Sequence, residues 1–235
     1  MLTYSTYNTS LANLLVVPTS DAGYVTVLPN IIDDAEQYLY RELDLMATVQ
    51  RDNSATLTTG SRSFNLPAAN GTFVVVKKIN VITPASISTA DLGTRNPLTP
   101  TSMEMLDFMW PSSSGSTVPT YFAMQSQSGV VLGPWPDQAY AVEVIGTFRP
   151  LPLSASNVTT LLSVYFPDLM ISASMVFAAG YQRNFGAGTD DPQMAANWMG
   201  HTKNLLTSAK TEEMRKRLSE HGIKQMTPPE PDPRA

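Results

Sequence analysis

The residues that could do chemistry are few and scattered. His201 and His221 lie twenty residues apart on one expected helix and its end, and the helical rise keeps them from sharing a metal within one chain. They read as polar residues of a helix face. The chain has no Cys, which removes disulfides, thiolate metal sites and cysteine nucleophiles together. Asp33-Asp34, Asp190-Asp191 and Glu212-Glu213 are paired acids, yet each adjacent pair points to different helix faces. The first two pairs sit where helices are expected to begin, so capping and dipole compensation account for them. Serines are abundant, but there is no Gly-x-Ser-x-Gly elbow, no Gly-rich phosphate loop and no zinc signature. No catalytic residue, cofactor or metal ligand is therefore assigned, and the chain is not expected to be an enzyme.

Two tryptophans hold more interest. Trp110 precedes Pro111 and a Ser-rich loop, and Trp135 stands in Gly133-Pro134-Trp135-Pro136. At strand ends they could form a stacking surface for sugar or base. The simpler role is packing at the edge of a small β core, or a contact between subunits, because aromatics dominate both. Trp198 falls on the apolar stripe of a helix and is expected to pack on Leu169 or Val176.

At 235 residues and 43% hydrophobic, the chain can bury a real core. A net charge of −5 with 15% charged residues makes a mildly acidic, charge-poor surface, so much of the exterior is small polar residues or is covered by partners. Duplex DNA is repelled by that average, and the basic clusters Lys77-Lys78 and Arg215-Lys216-Arg217 are small. The second reads as the cationic end of a helix. The first residues, Met1 to Tyr7, lack the positive and apolar regions of a secretory signal, so synthesis in the cytoplasm is expected. Leu169 to Ala179 is apolar but broken by Ser172 and Ser174. It is too short for a bilayer, which needs about 20 residues, so no membrane partner is expected.

The elements that must position these residues fall into three blocks. A short helix is expected over 5–17 (Leu11, Leu14, Leu15), ending before Pro18. A turn at Asp21-Ala22-Gly23 precedes a helix over 29–51 with Pro29 in its first turn. Its apolar face is Ile31, Ile32, Ala35, Leu39, Leu43 and Met46, and its polar face carries Glu36, Arg41 and Asp44. From Asn53 to Leu153 the texture is β, with strands at 55–59, 63–66, 72–82, 103–109, 121–125, 130–132 and 140–148. Asn70-Gly71 and Ser128-Gly129 supply positive-φ turn positions, and Pro84 to Pro100 reads as a long polar loop. After Pro150-Leu151-Pro152 a helix is expected over 158–185, restarting near Pro167, with Leu161, Leu162, Tyr165, Leu169, Ala173, Val176 and Phe177 on its buried side. Gly186-Ala187-Gly188 ends it. A last helix over 191–221 takes Asp190 as cap and Pro192 early, and buries Met194, Trp198, Leu205 and Leu206. The proline-rich end, Met226 to Pro233, has no apolar content to fold alone.

The expected fold is α+β: an antiparallel helical bundle of an N-terminal helix and two C-terminal helices, with an inserted antiparallel β domain. Residues 1–52 and 154–221 form the helical domain, 53–153 the β domain and 222–235 an extended tail.

This layout resembles the head-to-tail adaptor proteins of short-tailed bacteriophages, also called head-completion or tail tubular A-like proteins. The residues that carry the resemblance are Phe166-Pro167-Asp168-Leu169-Met170, the small-residue helix Ala173 to Ala179, Asp190-Asp191-Pro192, Trp198 and Arg215-Lys216-Arg217. The helix over 29–51 ahead of a β insertion agrees. The resemblance implies a structural virion protein at the head–tail junction. It would form a dodecameric ring beneath the portal protein, with the tail nozzle or other tail proteins below, extending a channel through which DNA passes transiently and without sequence preference. It further implies that Gly222, Ile223, Lys224, Gln225, Met226, Pro228, Pro229, Pro231 and Pro233 reach the portal as a strap, since a proline-stiffened segment loses little entropy on docking. The alternative is a tail, fibre or glycan-binding module acting through Trp110 and Trp135 in the β domain. A wall-degrading hydrolase comes third, motivated only by spare carboxylates.

Overall fold

In the computed structural model, which describes residues 2–87, 89–181 and 193–220, the chain enters α1 (Tyr4–Leu15) through Thr3. Thr3 and Thr6 cap each other reciprocally, which satisfies two of the free N–H groups at the helix start. Val16 ends the helix in the left-handed region at φ 56, two residues before Pro18. Tyr7 and Leu11 are fully buried, and the Tyr7 hydroxyl donates to Ser174 Oγ at 2.8 Å.

The second helix, α2 (Ala22–Glu42), begins seven residues earlier than the proline suggests. Asp21 does not lie in a turn but caps the helix, its carboxylate accepting the Tyr24 N–H at 2.8 Å. Pro29 sits inside the helix at an exposed position, where its missing N–H removes one hydrogen bond. The C-terminal end also differs: Leu43 is extended, and the chain passes into a 3-10 turn and a strand instead of continuing to 51. Ile31, Ile32, Ala35 and Leu39 face the core as expected. Glu36, expected on the polar face, is buried with them at 3% exposure.

Two compact units make up the chain: one takes it up to Met46 and again from Pro152, the other is Ala47–Leu151. The second unit runs, in order, β1 (Val49–Thr56), β2 (Ser63–Asn65), β3 (Gly71–Thr83), β4 (Thr94–Pro97), β5 (Thr99–Pro100), α3 (Met103–Met109), β6 (Tyr121–Met124), β7 (Gly129–Gly133) and β8 (Ala141–Pro150). One sheet has the order β1-β8-β3-β4 and the other β2-β7-β6-β5. Every pairing is antiparallel except the short parallel one between β5 and β6. The sheets share one core: Phe73, Ile79, Val81, Val142, Val144 and Phe148 from the first meet Phe122, Val130 and Leu132 from the second.

Two expectations fail here. Residues 103–109 form a helix, capped by Ser102, whose Oγ accepts the Met105 N–H at 3.2 Å. Pro84 to Pro100 is not a loop throughout, since β4 and β5 lie within it. Of the two turn signals, Ser128-Gly129 closes the β6–β7 hairpin but without the positive φ expected of Gly129. Gly71 has φ 140 and opens β3, with no room for a Cβ, which would lie 2.2 Å from the Arg149 carbonyl.

The helical unit resumes with Leu153 buried in its core, then α4 (Leu161–Tyr165), α5 (Pro167–Tyr181) and α6 (Met194–Glu220). The expected continuous helix is two, and the main one opens at Pro167, where a first-turn proline costs nothing. Tyr165, expected on the buried side, is exposed. α5 is central: α1, α2, α4 and α6 all contact it. Small residues allow that closeness, and Ser172 meets Thr202 of α6 at 2.7 Å. Trp198 is half-buried against the same core. Asp190, Pro192 and Gly186-Ala187-Gly188 lie outside the described residues. Among the described residues no helix is long and apolar enough to cross a membrane.

Candidate interaction site

The structure brings the two β-unit tryptophans together. Trp110 closes α3, its N–H donating to the Leu106 carbonyl at 2.9 Å. Its own carbonyl accepts the indole N–H of Trp135 at 3.2 Å and an Arg62 N–H at 3.5 Å. The Arg62 guanidinium lies 5.6 Å from the Trp135 ring centre and pairs with Asp107 of α3. Trp110 in turn stacks on Tyr121, ring centres 5.5 Å apart. Gly133 makes the approach possible, because a Cβ there would lie 2.6 Å from the Trp110 ring. Each indole thus already has a partner, and the cluster fixes α3 on the sheet. Arg62 and α3 were missed in the sequence. The available signal was Ser102 as cap, followed by Met103, Leu106 and Trp110 at helical spacing.

On the other sheet, Glu143 is 1% exposed. It accepts from Asn80 Nδ2 at 2.8 Å and from Arg95 Nε at 3.1 Å, and Arg51 Nε lies 3.4 Å away. Asp91 bridges Arg51 and Arg95 at 2.9 and 2.7 Å. Arg51 first, then Arg95, hold the Asp91 carboxyl below the usual carboxylate range. This network ties the segment before β4 to the sheet face. It neutralises a buried carboxylate rather than offering it to a substrate.

In the helical unit, Glu36 accepts the Thr160 hydroxyl at 2.8 Å and the Leu153 N–H at 3.3 Å. Burial pushes its pKa up to about 7, against the opposing pull of those two donors. Glu213 accepts the Met46 N–H at 2.9 Å and binds Lys216 at 2.7 Å. The basic triplet of the last helix is partly spent inside the unit: Lys216 lies 5.4 Å from the Phe166 ring, and Arg217 donates to the Asp44 carbonyl at 2.9 Å. Glu36 and Glu213 serve as acceptors for backbone N–H groups that the ends of other elements leave free.

Other residues singled out in the sequence do not join a site. His201 is exposed, with its ring edge-on to Trp198 at 6.0 Å. His221 and the whole set Gly222, Ile223, Lys224, Gln225, Met226, Pro228, Pro229, Pro231 and Pro233 lie outside the described residues.

The arrangement thus consists of packed aromatics and of buried acids held by cations or hydrogen-bond donors. Comparison with curated proteins returns no match. The sequence profile of the family described as SU10 adaptor protein matches residues 2–222, nearly the whole chain. That agrees with the layout of a helical unit interrupted by a β unit, and the chain belongs to the SU10 adaptor protein family, as a structural adaptor of a bacteriophage.

Proposed function

We propose that this adaptor assembles as a closed ring beneath the portal protein, dodecameric where the portal is, and carries the tail nozzle or other tail proteins below it. The observation that carries the reading is the family match across both units of the chain. The ring continues the DNA channel at the head–tail junction of the virion, from subunits made in the host cytoplasm. A mildly acidic chain whose Lys216 and Arg217 are engaged internally suits a conduit in which DNA slides without being held. The segment from Gly222 to Pro233 acts as the portal strap.

Size-exclusion chromatography with light scattering, on the chain alone and mixed with the portal of the same genome, tests this. Co-elution at about one copy per portal subunit is the expected result, as symmetric closure demands. A well-formed portal that leaves the chain unbound would sink the reading. A chain lacking residues 222–235 is expected to bind more weakly, and unchanged co-assembly would remove the strap.

The adjacency of Trp110 and Trp135 favours one second reading, in which this part of the β unit touches a tail fibre or a glycan. Glycan-array or fibre binding lost in Trp135→Phe, with the fold intact, would support it. Binding by neither the native chain nor the variant would dismiss it.

A further inference from the structure

Two features of the β unit are explained by neither its core nor the tryptophan cluster. The first is the outer side of α3. Leu106 and Trp110 pack inward on Ala123 and Val131, which are on the face of β6 and β7 opposite the shared core. Met105, Phe108 and Met109 lie on the other side of the helix, at the i, i+3, i+4 spacing of one face. Phe108 is 83% exposed and the two methionines are about half exposed. Glu104 and Asp107 flank them. Asp107 shares its charge with Arg62, and the backbone N–H of Glu104, then Ser102, keep the Glu104 carboxyl below its usual range.

The second feature is the outer side of β3. The strand bulges between Phe73 and Val75 and again between Val76 and Lys78. The bulges convert the usual alternation into a step of three: Phe73, Val76 and Ile79 pack on the shared core, and Val74-Val75 and Lys77-Lys78 are turned out. Val74 and Val75 are about half exposed. β4 pairs only with Asn80 to Thr83, so this stretch of β3 is also an open sheet edge. Among the described residues neither lysine has an acid partner.

These two surfaces lie on opposite faces of one two-sheet core, one apolar with an acidic rim and the other apolar with a basic rim. Complementary faces on opposite sides of a unit make a head-to-tail contact, whereas a two-fold contact would need one face to match itself. We propose that α3 of one copy docks on the bulged β3 of the next, with Met105, Phe108 and Met109 on Val74 and Val75, and Glu104 and Asp107 against Lys77 and Lys78. The contact rests on the ring reading above and supplies the repeating interface of that ring.

The absence of Cys makes the test direct. Full-length Met109→Cys and Val74→Cys chains, one enlarged by a tag, are mixed with portal and treated with a flexible bismaleimide. The tagged–untagged mixed dimer is expected to form nearly all of the crosslinked product, against the half that random encounter would give. A statistical mixture, a predominance of Met109–Met109-site dimers, or no crosslinking would each overturn the proposal. Lys77→Glu with Lys78→Glu is expected to abolish the mixed dimer, and Glu104→Lys on the opposing chain to restore part of it. Circular dichroism confirms that these surface variants fold. Rings that form on the portal without the 109–74 crosslink would refute this contact and leave the adaptor reading standing. Directional crosslinks in a chain that never binds portal would do the reverse.

Discussion

Glu36 shows how much one side chain can decide. It sits on α2 and accepts hydrogen bonds from Thr160 and Leu153, both just past the return from the β unit. Its folded pKa, about 7, lies above the ordinary carboxylate value because burial disfavours the charge. The native state therefore binds more protons than the unfolded chain between roughly pH 4.5 and 7, and the slope of stability against pH is negative there. This contribution is fully present below the lower value and is lost as pH rises through the upper one. Glu36→Gln keeps one acceptor oxygen but no charge, and its amide N–H can be met only if the Thr160 hydroxyl turns from donor to acceptor; the variant is expected to flatten the pH dependence of the urea midpoint over that window. Glu36→Ala leaves both donors unpaired and should cost about 2 to 3 kcal/mol. A native chain whose midpoint does not fall between pH 5 and 8 would contradict the assignment. Val16 makes a smaller case. A β-branched residue at φ 56, 89% exposed, carries the left-handed penalty with no packing in return. Val16→Gly should raise stability by about 1 kcal/mol, glycine's own entropy having offset part of the gain, as read from the urea midpoint.

Elements were legible where period and caps agreed and were lost where one of them misled. The break at Pro167 and the apolar α5 could be read directly, because a first-turn proline and a near-continuous apolar run point the same way. In α2 the two signals conflict. Pro29 reads as a start, yet Asp21 holds a better cap, and twenty-one residues of buried stripe outweigh one missing hydrogen bond. Pro29→Ala tests that balance: the helix-interior penalty of about 3 kcal/mol, less about 1 for the freed unfolded chain, predicts roughly 2 kcal/mol of added stability in chemical denaturation. No gain would mean that the proline sets the geometry of α2. In α3 the misleading signal was composition. With Met105, Phe108 and Met109 outside and Met103 and Leu106 inside, apolar residues fall on two sides of the helix, interrupted by Glu104 and Asp107, which blurs its period so that the segment resembles a strand. The same excess of exposed apolar residues makes it a candidate interface, and the packing of Trp110 and Trp135 with Arg62 at the edge of the β core could not be read from the sequence, where the two stand 25 residues apart. Glu36 and Glu143 were illegible because only tertiary partners reveal a buried carboxylate. Bulged β3 also depends on what faces it. A Cβ on Gly146 would lie 2.2 Å from the Val75 carbonyl, so Gly146→Ala should disturb the β3–β8 ladder and cost about 1 to 3 kcal/mol, measurable by hydrogen exchange along both strands.

For the whole molecule, the question is how a β unit can interrupt a helical one without preventing either from folding. β1 and β8, the first and last strands of the unit, are antiparallel neighbours, with Val49 opposite Thr147. The chain therefore enters and leaves on adjacent strands, about 5 Å apart. To the helical unit the insertion is equivalent to a short loop, and its closure adds little entropy beyond that of any tight connection. The cores agree with this. The cluster containing Tyr7, Leu39, Leu169 and Leu206 takes no described residue from Ala47–Leu151, and the cluster containing Phe73, Val144 and Leu132 takes none from outside it. Replacing residues 50–146 with a short Gly-Ser turn should leave a helical protein that unfolds cooperatively, and residues 47–151 alone should fold as a β protein, since about 100 residues suffice for an independent core. Circular dichroism with urea titration checks the first, and dispersion of amide proton shifts the second. A helical fragment that keeps its far-ultraviolet signal but loses its cooperative transition would show that the β unit completes its core. Independent folding of both would fit an adaptor whose helical and β units carry separate contacts, so that surface changes such as those on α3 and β3 can be made without unfolding the remainder.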